Sequence, residues 1–570
     1  MDFLTEQRPA SARYRPPSRY ISNPDAIIIG SGLGGLALAS TLAQKRGMKV
    51  LVLEGAQTPG GATHVHELGG YEFPAGLHSV GDMDTDINPG ALNAWSANYV
   101  TGNQVVWAKM PEDHEYAFLG DEGFPWFSTA EENIEHFSTR DLGGKCDFKA
   151  YFEMEKRVQA AGVGWALTKL LPNSMPMFMR EAFYKVTGQT WRKYMARDTH
   201  SVLKKDLGFT DKAAGLFEYM YGNYGRTPDQ APFTMHAAVM YHYRHGAYFP
   251  VGGPGSIANA IIPIVESAGG QVATHSRVQT ILVENGNKAV GVRLQNGEEI
   301  RSKLVISDAS AWTTFMDLMP RDVSDKHGYT KVLSQVGSSP SHITLMVGWK
   351  ERIEFPRYIV WQMPRYEGEL PTYDISGGDR IYKSQMRFEG MPAYLMSPSS
   401  RDPVHNDRYP GKSTMMLLVE SNPAWLKRCV AEPAFRAELE AKFRESAMKI
   451  IEDRFPQCRG KTPTLSHVHF PMGCNPWARE GGSYGLEPSA DRFVKHTHML
   501  RPKTTIENFY LVGQDAFMPG IAGVLIGARF AYAAITGDLF HLQNTERSSY
   551  VPQLPKPVAQ PVPADTRQVA

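Results

Sequence analysis

The chain has 570 residues, 42% apolar and 21% charged, the proportions of a globular protein long enough for several cores. Lys plus Arg (60) nearly cancel Asp plus Glu (59), a balance of +1 that implies no general electrostatic pull on nucleic acid. Cys146, Cys429, Cys458 and Cys474 stand far apart without CxxC spacing, so they point to buried reduced thiols rather than a disulfide framework or a metal site.

The opening "MDFLTEQRPASARYRPPSRY" lacks an apolar core of signal-peptide length, and residues 1–24 read as a flexible arm. The expected compartment is cytoplasmic, at most peripheral on a membrane, or a plastid or other organelle if the arm is a trimmed transit peptide. No uninterrupted apolar run reaches the roughly 18 residues that a membrane-spanning helix needs.

The most specific stretch follows: "DAIIIGSGLGGLALASTLAQKRGMKVLVLEGAQTPGG". Ala26 to Ile29 form an apolar run typical of a buried parallel strand, "LALASTLAQK" has helical spacing, and "KVLVLE" is a second buried strand. Between strand and helix, Gly30, Gly32 and Gly35 spell G-x-G-x-x-G, with Gly34 inside the motif. Such a turn lets a pyrophosphate sit on the helix N-terminus. Glu54 ends the second strand, 24 positions after Gly30, where its carboxylate can accept hydrogen bonds from an adenosine ribose. Two glycine pairs come next, Gly60-Gly61 with Ala62 beside them and Gly69-Gly70, both able to admit a long cofactor to the backbone; His78 follows.

Trp165 to Val186 holds Met175, Met177 and Met179 among aromatics and two prolines, a composition suited to a hydrocarbon tunnel. The same stretch could instead dip into a membrane face, with Lys169, Arg180 and Lys185 at the headgroups. "MHAAVMYHYRHGAYF" places His236, Tyr241, His242, Tyr243 and His245 together, without the helix-face spacing of a metal site. Ser256 to Ala268 reads as an amphipathic helix. Strands follow it, with turns at Asn285-Gly286 and Asn296-Gly297. Near the end, Phe509 to Val512 reads as a strand before Gly513 and Asp515. Pro519 then starts an apolar helix whose Gly520, Ala522 and Gly523 leave room for a flat ring. The Pro-rich tail, residues 541–570, is expected to be disordered.

This order of motifs resembles the flavoprotein amine-oxidase and phytoene-desaturase superfamily. "YEFPAGLHSVG", "HYRHGAYFPVGG", "GGSYGLEPSADRF" and "NFYLVGQDAF" are similar to its retinol saturase and carotenoid isomerase branch, over residues 25–540. The resemblance implies FAD as the cofactor, with Asp515 at the ribityl and phosphate region, the backbone of Val278 facing the adenine, and Asp308 near the pyrophosphate. It implies an α/β fold: a discontinuous Rossmann-type FAD-binding domain, glutathione-reductase-like and three-layered, with an inserted mixed α+β substrate domain. The FAD segments are then residues 25–100, 245–312 and 481–540, and the substrate domain is 101–244 with 313–480.

The implied activity is a flavin oxidoreductase of the retinol saturase type acting on a C=C bond of a conjugated polyene, a retinoid or carotenoid. The alternatives are a carotenoid cis–trans isomerase or desaturase, and a non-catalytic lipid-binding escort. His78, Tyr241 and His242 are the catalytic candidates, and Met175, Met177, Met179 and His236 the substrate contacts. No second G-x-G-x-x-G follows a strand, so either electrons come from an unidentified donor or the reaction is redox-neutral.

Overall fold

Short apolar runs build the central sheet, because a strand covered on both faces needs no polar alternation. Ala26–Ile29 and Val50–Leu53 are buried at every position and pair in parallel. The computed structural model describes residues 16–363, 392–421, 423–471 and 482–542. Most of the N-terminal arm, Cys474 and nearly all of the Pro-rich tail lie outside these residues.

Five parallel strands stand in the order Gln271–Ala273, Val50–Leu53, Ala26–Ile29, Val305–Ser307, Phe509–Leu511. Three remote parts of the chain therefore share one sheet. Ile28, Val52 and Ile306 face a helical layer that includes Leu33–Arg46, Gly255–Ser267 and Gly520–Thr536. Ile27, Leu51 and Val305 face the opposite way, onto a three-stranded antiparallel sheet of Val278–Glu284, Lys288–Leu294 and Glu299–Arg301. The result is three layers. Each aliphatic side chain buried between them contributes about 1.5–3 kcal/mol.

A second sheet has seven strands, in the order Leu465–His469, Ser341–Trp349, Ser413–Ser421, Ala393–Met396, Ile359–Met363, Glu115–Leu119, Glu122–Trp126. Leu345, Val347, Leu417 and Val419 on one face pack against the helix Pro433–Arg454 through Leu439, Phe443 and Ile451. Met346, Trp361, Tyr394 and Met416 on the other face join the aromatic core of the helices between residues 148 and 242. Gly69 and Gly70 have positive φ (57° and 79°) and turn the hairpin Val65–Leu68/Tyr71–Pro74. Both are exposed, so this pair closes a surface turn and admits no cofactor. Among the described residues no helix is long and apolar enough to cross a membrane.

Candidate functional site

One cavity of about 1330 Å³ joins the parallel sheet to the seven-stranded sheet. Its first half lies where the strand ends converge. The turn after Ala26–Ile29 packs so closely on its neighbours that a Cβ at Gly34 would fall 2.8 Å from the Gly513 backbone, and one at Gly32 2.5 Å from Asp308 Oδ2. The glycines thus let three chain segments meet, as well as leaving the N-terminus of Leu33–Arg46 open.

Glu54 is fixed by three donors. Ser31 N–H and Oγ–H reach its Oε2 at 2.9 and 2.6 Å, and Ala56 N–H reaches Oε1 at 2.7 Å. Asp515 is a buried staple: Oδ2 accepts from Ala311 N–H and Oδ1 from Leu486 N–H, both at 2.8 Å. Gly30, Gly32, Gly34, Glu54, Gly61, Ala62, Val278, Asp308, Gly513, Asp515 and Gly520 all line the cavity. Gly520 has φ +80° with open space around it and begins the helix Gly520–Thr536, so the positive end of that helix faces the cavity.

Four other residues of the predicted cofactor set do not line it. A Cβ at Gly35 would meet Gly30 O at 2.7 Å, which makes Gly35 a packing position between turn and helix. Gly60 provides a turn with φ +114°. Gly523 is turned toward the Met518 carbonyl, 2.5 Å from a built Cβ, and Ala522 likewise lies off the wall.

The second half of the cavity is a face of the seven-stranded sheet. Side chains alternate across a strand, and the antiparallel register sets His342 opposite Glu420, Thr344 opposite Leu418, and Met346 opposite Met416. Tyr394 pairs with Leu418 and Trp361 with Tyr394, which continues the row. All of these line the cavity, with Tyr221, Gly222 and Tyr484 across from them. Trp361 Nε1–H donates to Glu115 Oε2 at 2.9 Å and Tyr484 O–H to Gly222 O at 2.6 Å, which hold both rings in place. The sequence reading missed this wall.

Of the predicted catalytic residues only His78 reaches the cavity. His242 Nε2 accepts from Gly81 N–H at 2.7 Å and is half-buried there, and Tyr241 sits at the end of the helix Phe233–His242. His236 is enclosed in the helical core between the hydroxyls of Tyr151 (3.3 Å) and Tyr224 (3.2 Å). The methionines also lie elsewhere. Met177 and Met179 are 50% and 47% exposed on the outer surface, and the Met175 carbonyl accepts from Arg180 Nε. Lys169 and Arg180 point inward to main-chain carbonyls, so they do not reach lipid headgroups.

Burial dominates the electrostatics. It pulls His78 down to about 3 and His342 to about 4, so both are neutral. It pushes Glu420 up to about 8. Asp308 is also raised to about 8, by burial first and then by Glu54 and Asp515, although the Gly35 and Gly32 N–H groups oppose this. Asp308 Oδ2 is shielded from solvent and unpartnered among the described residues. A neutral acid with an unused oxygen at an open helix N-terminus fits the phosphates of a dinucleotide, and the acid-terminated strand fits its ribose.

The model of the NAD(P)-binding Rossmann-like domain family matches residues 28–89. The chain is 31% identical over 546 residues to all-trans-retinol 13,14-reductase of Rattus norvegicus, covering 91% of this chain and 86% of that protein. It is 30% identical over 352 residues to the chloroplastic prolycopene isomerase of Daucus carota, 58% of this chain and 53% of that one. Among solved structures it superposes on cyclohexylamine oxidase from Brevibacterium oxydans IH-35A with a TM-score of 0.54 at 15% identity, over 90% of this chain and 98% of that chain. The amine-oxidase-like fold and the sequence likeness agree: the chain belongs to the all-trans-retinol 13,14-reductase family of oxidoreductases.

Proposed function

We propose that the protein holds FAD in the first half of the cavity and reduces a carbon–carbon double bond of a conjugated polyene, a retinoid or carotenoid, in the second. One observation carries the reading: the dinucleotide turn and the Met- and aromatic-lined sheet face belong to a single cavity of about 1330 Å³. Gly32, Gly34 and Asp308 would hold the pyrophosphate, Glu54 the adenosine ribose, Val278 the adenine and Asp515 the ribityl region. Bound there, the flavin supplies two-electron redox chemistry that no side chain can.

The chain's own residues do the rest. Trp361, Tyr394, Met346 and Met416 orient a flat hydrocarbon and exclude water from it. The N-terminus of Gly520–Thr536 stabilises negative charge that develops nearby. Outside the cavity, Val163, Leu167, Met177, Phe178, Met179 and Val186 form an exposed apolar patch on two neighbouring helices, suited to contact with the lipid from which such a substrate is drawn.

The test is anaerobic incubation of the reduced, purified protein with a panel of retinoids and carotenoids, read by mass spectrometry. A product heavier by two hydrogens is expected. Unchanged mass with shifted retention would assign cis–trans isomerisation instead, and a protein that purifies without flavin absorbance near roughly 370 and 450 nm would remove the cofactor assignment.

A further inference from the structure

Five carboxyl groups line the cavity among the described residues: Glu54, Asp308, Asp317, Glu420 and Asp515. Four of them stand on the dinucleotide side. Glu54 ends a strand of the parallel sheet, Asp308 follows another, Asp317 lies in the turn of helix Thr313–Leu318, and Asp515 follows Phe509–Leu511. Glu420 alone comes from the seven-stranded sheet, in Ser413–Ser421. It shares a face with Leu418 and Met416 and therefore lies against whatever occupies the apolar half.

We propose that Glu420 is the acid that delivers a proton to the substrate carbon. This inference rests on the polyene-reduction reading above.

Its surroundings are those of a carboxyl kept in its acid form. Oε1 is shielded from solvent. On the neighbouring strand it faces His342, whose Nδ1 lies 3.1 Å from Ser483 Oγ and whose ring is neutral because burial lowers it to about 4. From the loops and helices packed against it come Tyr484 and Tyr224, both raised above the usual tyrosine value by burial first and by the Glu420 charge among further causes. His342, Tyr484 and Tyr224 carry no positive charge near neutral pH, and burial pushes Glu420 to about 8.

Four other proton carriers on the wall fit the task poorly. His78 and His342 hold no second proton at neutral pH, and the Tyr394 and Tyr484 hydroxyls are held too tightly. A donor whose pKa lies near the working pH is the efficient one. In the step itself, the Glu420 O–H bond breaks and a C–H bond forms at one carbon of the double bond. The other carbon takes the hydride equivalent that the reduced flavin dinucleotide supplies. The carboxylate left behind regains its proton from water, with His342 and Ser483 lying beside it.

The experiment compares the full-length flavin-loaded wild type with Glu420→Gln and Glu420→Asp. Polyene binding is read by quenching of tryptophan fluorescence, saturation by mass spectrometry across neutral and alkaline pH, and the acid itself by its infrared carbonyl band. Glu420→Gln should retain flavin and polyene binding while its saturation rate falls roughly 10²–10⁴-fold. The wild-type rate should decline above about 8, the value of this group, and a carbonyl band titrating there should vanish in the Gln variant. Glu420→Asp should recover part of the rate.

A Gln variant that keeps most of the wild-type rate or its alkaline limb, or that retains the titrating band, overturns the assignment. A wild type that binds polyene yet never adds hydrogen overturns the reduction reading, and the donor role with it. The two failures are thus told apart by the wild-type product.

Discussion

Substituting Gly34 by alanine tests the convergence on which the cofactor half of the cavity depends. The added Cβ would sit 2.8 Å from both Cα and N of Gly513 and 2.6 Å from Asp308 Oδ1. Favourable carbon contacts begin near 3.5 Å, so the neighbours must retreat by about 0.7 Å. The obstacle is backbone rather than a flexible side-chain end. Gly513 follows Phe509–Leu511, which is locked in parallel register to Val305–Ser307, and Val512 N–H donates to Ser307 O at 2.9 Å.

Overpacking of this kind costs about 1–3 kcal/mol. The gain in helix propensity offsets about 1 kcal/mol at most. The net loss is then about 1–2 kcal/mol, which corresponds to roughly 5–30-fold in an equilibrium constant. The assay is the ratio of flavin to protein absorbance after gel filtration, together with the apparent melting temperature. Gly215→Ala is the control, because its Cβ meets nothing within 4 Å among the described residues, inside the helix Asp211–Phe217. It should be neutral or slightly stabilising. If Gly34→Ala holds flavin and melts like the control, the close packing of turn, Asp308 and Gly513 is wrong.

Asp308, raised to about 8 by burial and by Glu54 and Asp515, binds a proton in the folded protein that the unfolded chain releases near 3.8. Its stabilising share is complete below 3.8 and is lost as pH rises through about 8, so the melting-temperature advantage of Asp308→Asn should grow across that window and then level off. A difference independent of pH would contradict a protonated Asp308. Arg408 bonds Glu72 at 2.6 and 2.9 Å and Asp402 at 2.6 Å, and all three side chains are at most 8% exposed. Arg408→Ala strands two buried acids and should cost about 3–5 kcal/mol in urea unfolding; an unchanged midpoint would show that the pair is solvated. Phe178, 74% exposed, should tolerate serine with stability within about 0.5 kcal/mol of wild type. The same substitution should weaken sedimentation with lipid vesicles. Unaltered vesicle binding would mean the apolar patch serves another purpose.

The dinucleotide half was legible because its signals are local. The short apolar run Ala26–Ile29, the glycine spacing directly after it and Glu54 at the end of the next strand identify a strand, turn and helix only in combination, and all of them lie within one short stretch of chain. The same holds for Gly520–Thr536, where Pro519 and small residues mark the start of a buried helix. The histidines misled for a physical reason: a cluster along the chain is not a cluster in space. His236 was consumed by Tyr151 and Tyr224, and His242 by the Gly81 amide.

Ser341–Trp349 alternates Ile343, Leu345, Val347 and Trp349, which face the Pro433–Arg454 side, with His342, Thr344 and Met346, but nothing local shows that the second row lines a cavity rather than facing solvent. Met179 and Met416 are the same residue type, yet one is half exposed and the other 1% exposed. The order and spacing of residues by themselves therefore specified a place for a nucleotide, through chemistry confined to a few neighbouring residues. Only the pairing of strands distant along the chain put Glu420 opposite His342 and turned that face toward the nucleotide end, because register and facing depend on partners that no local stretch contains.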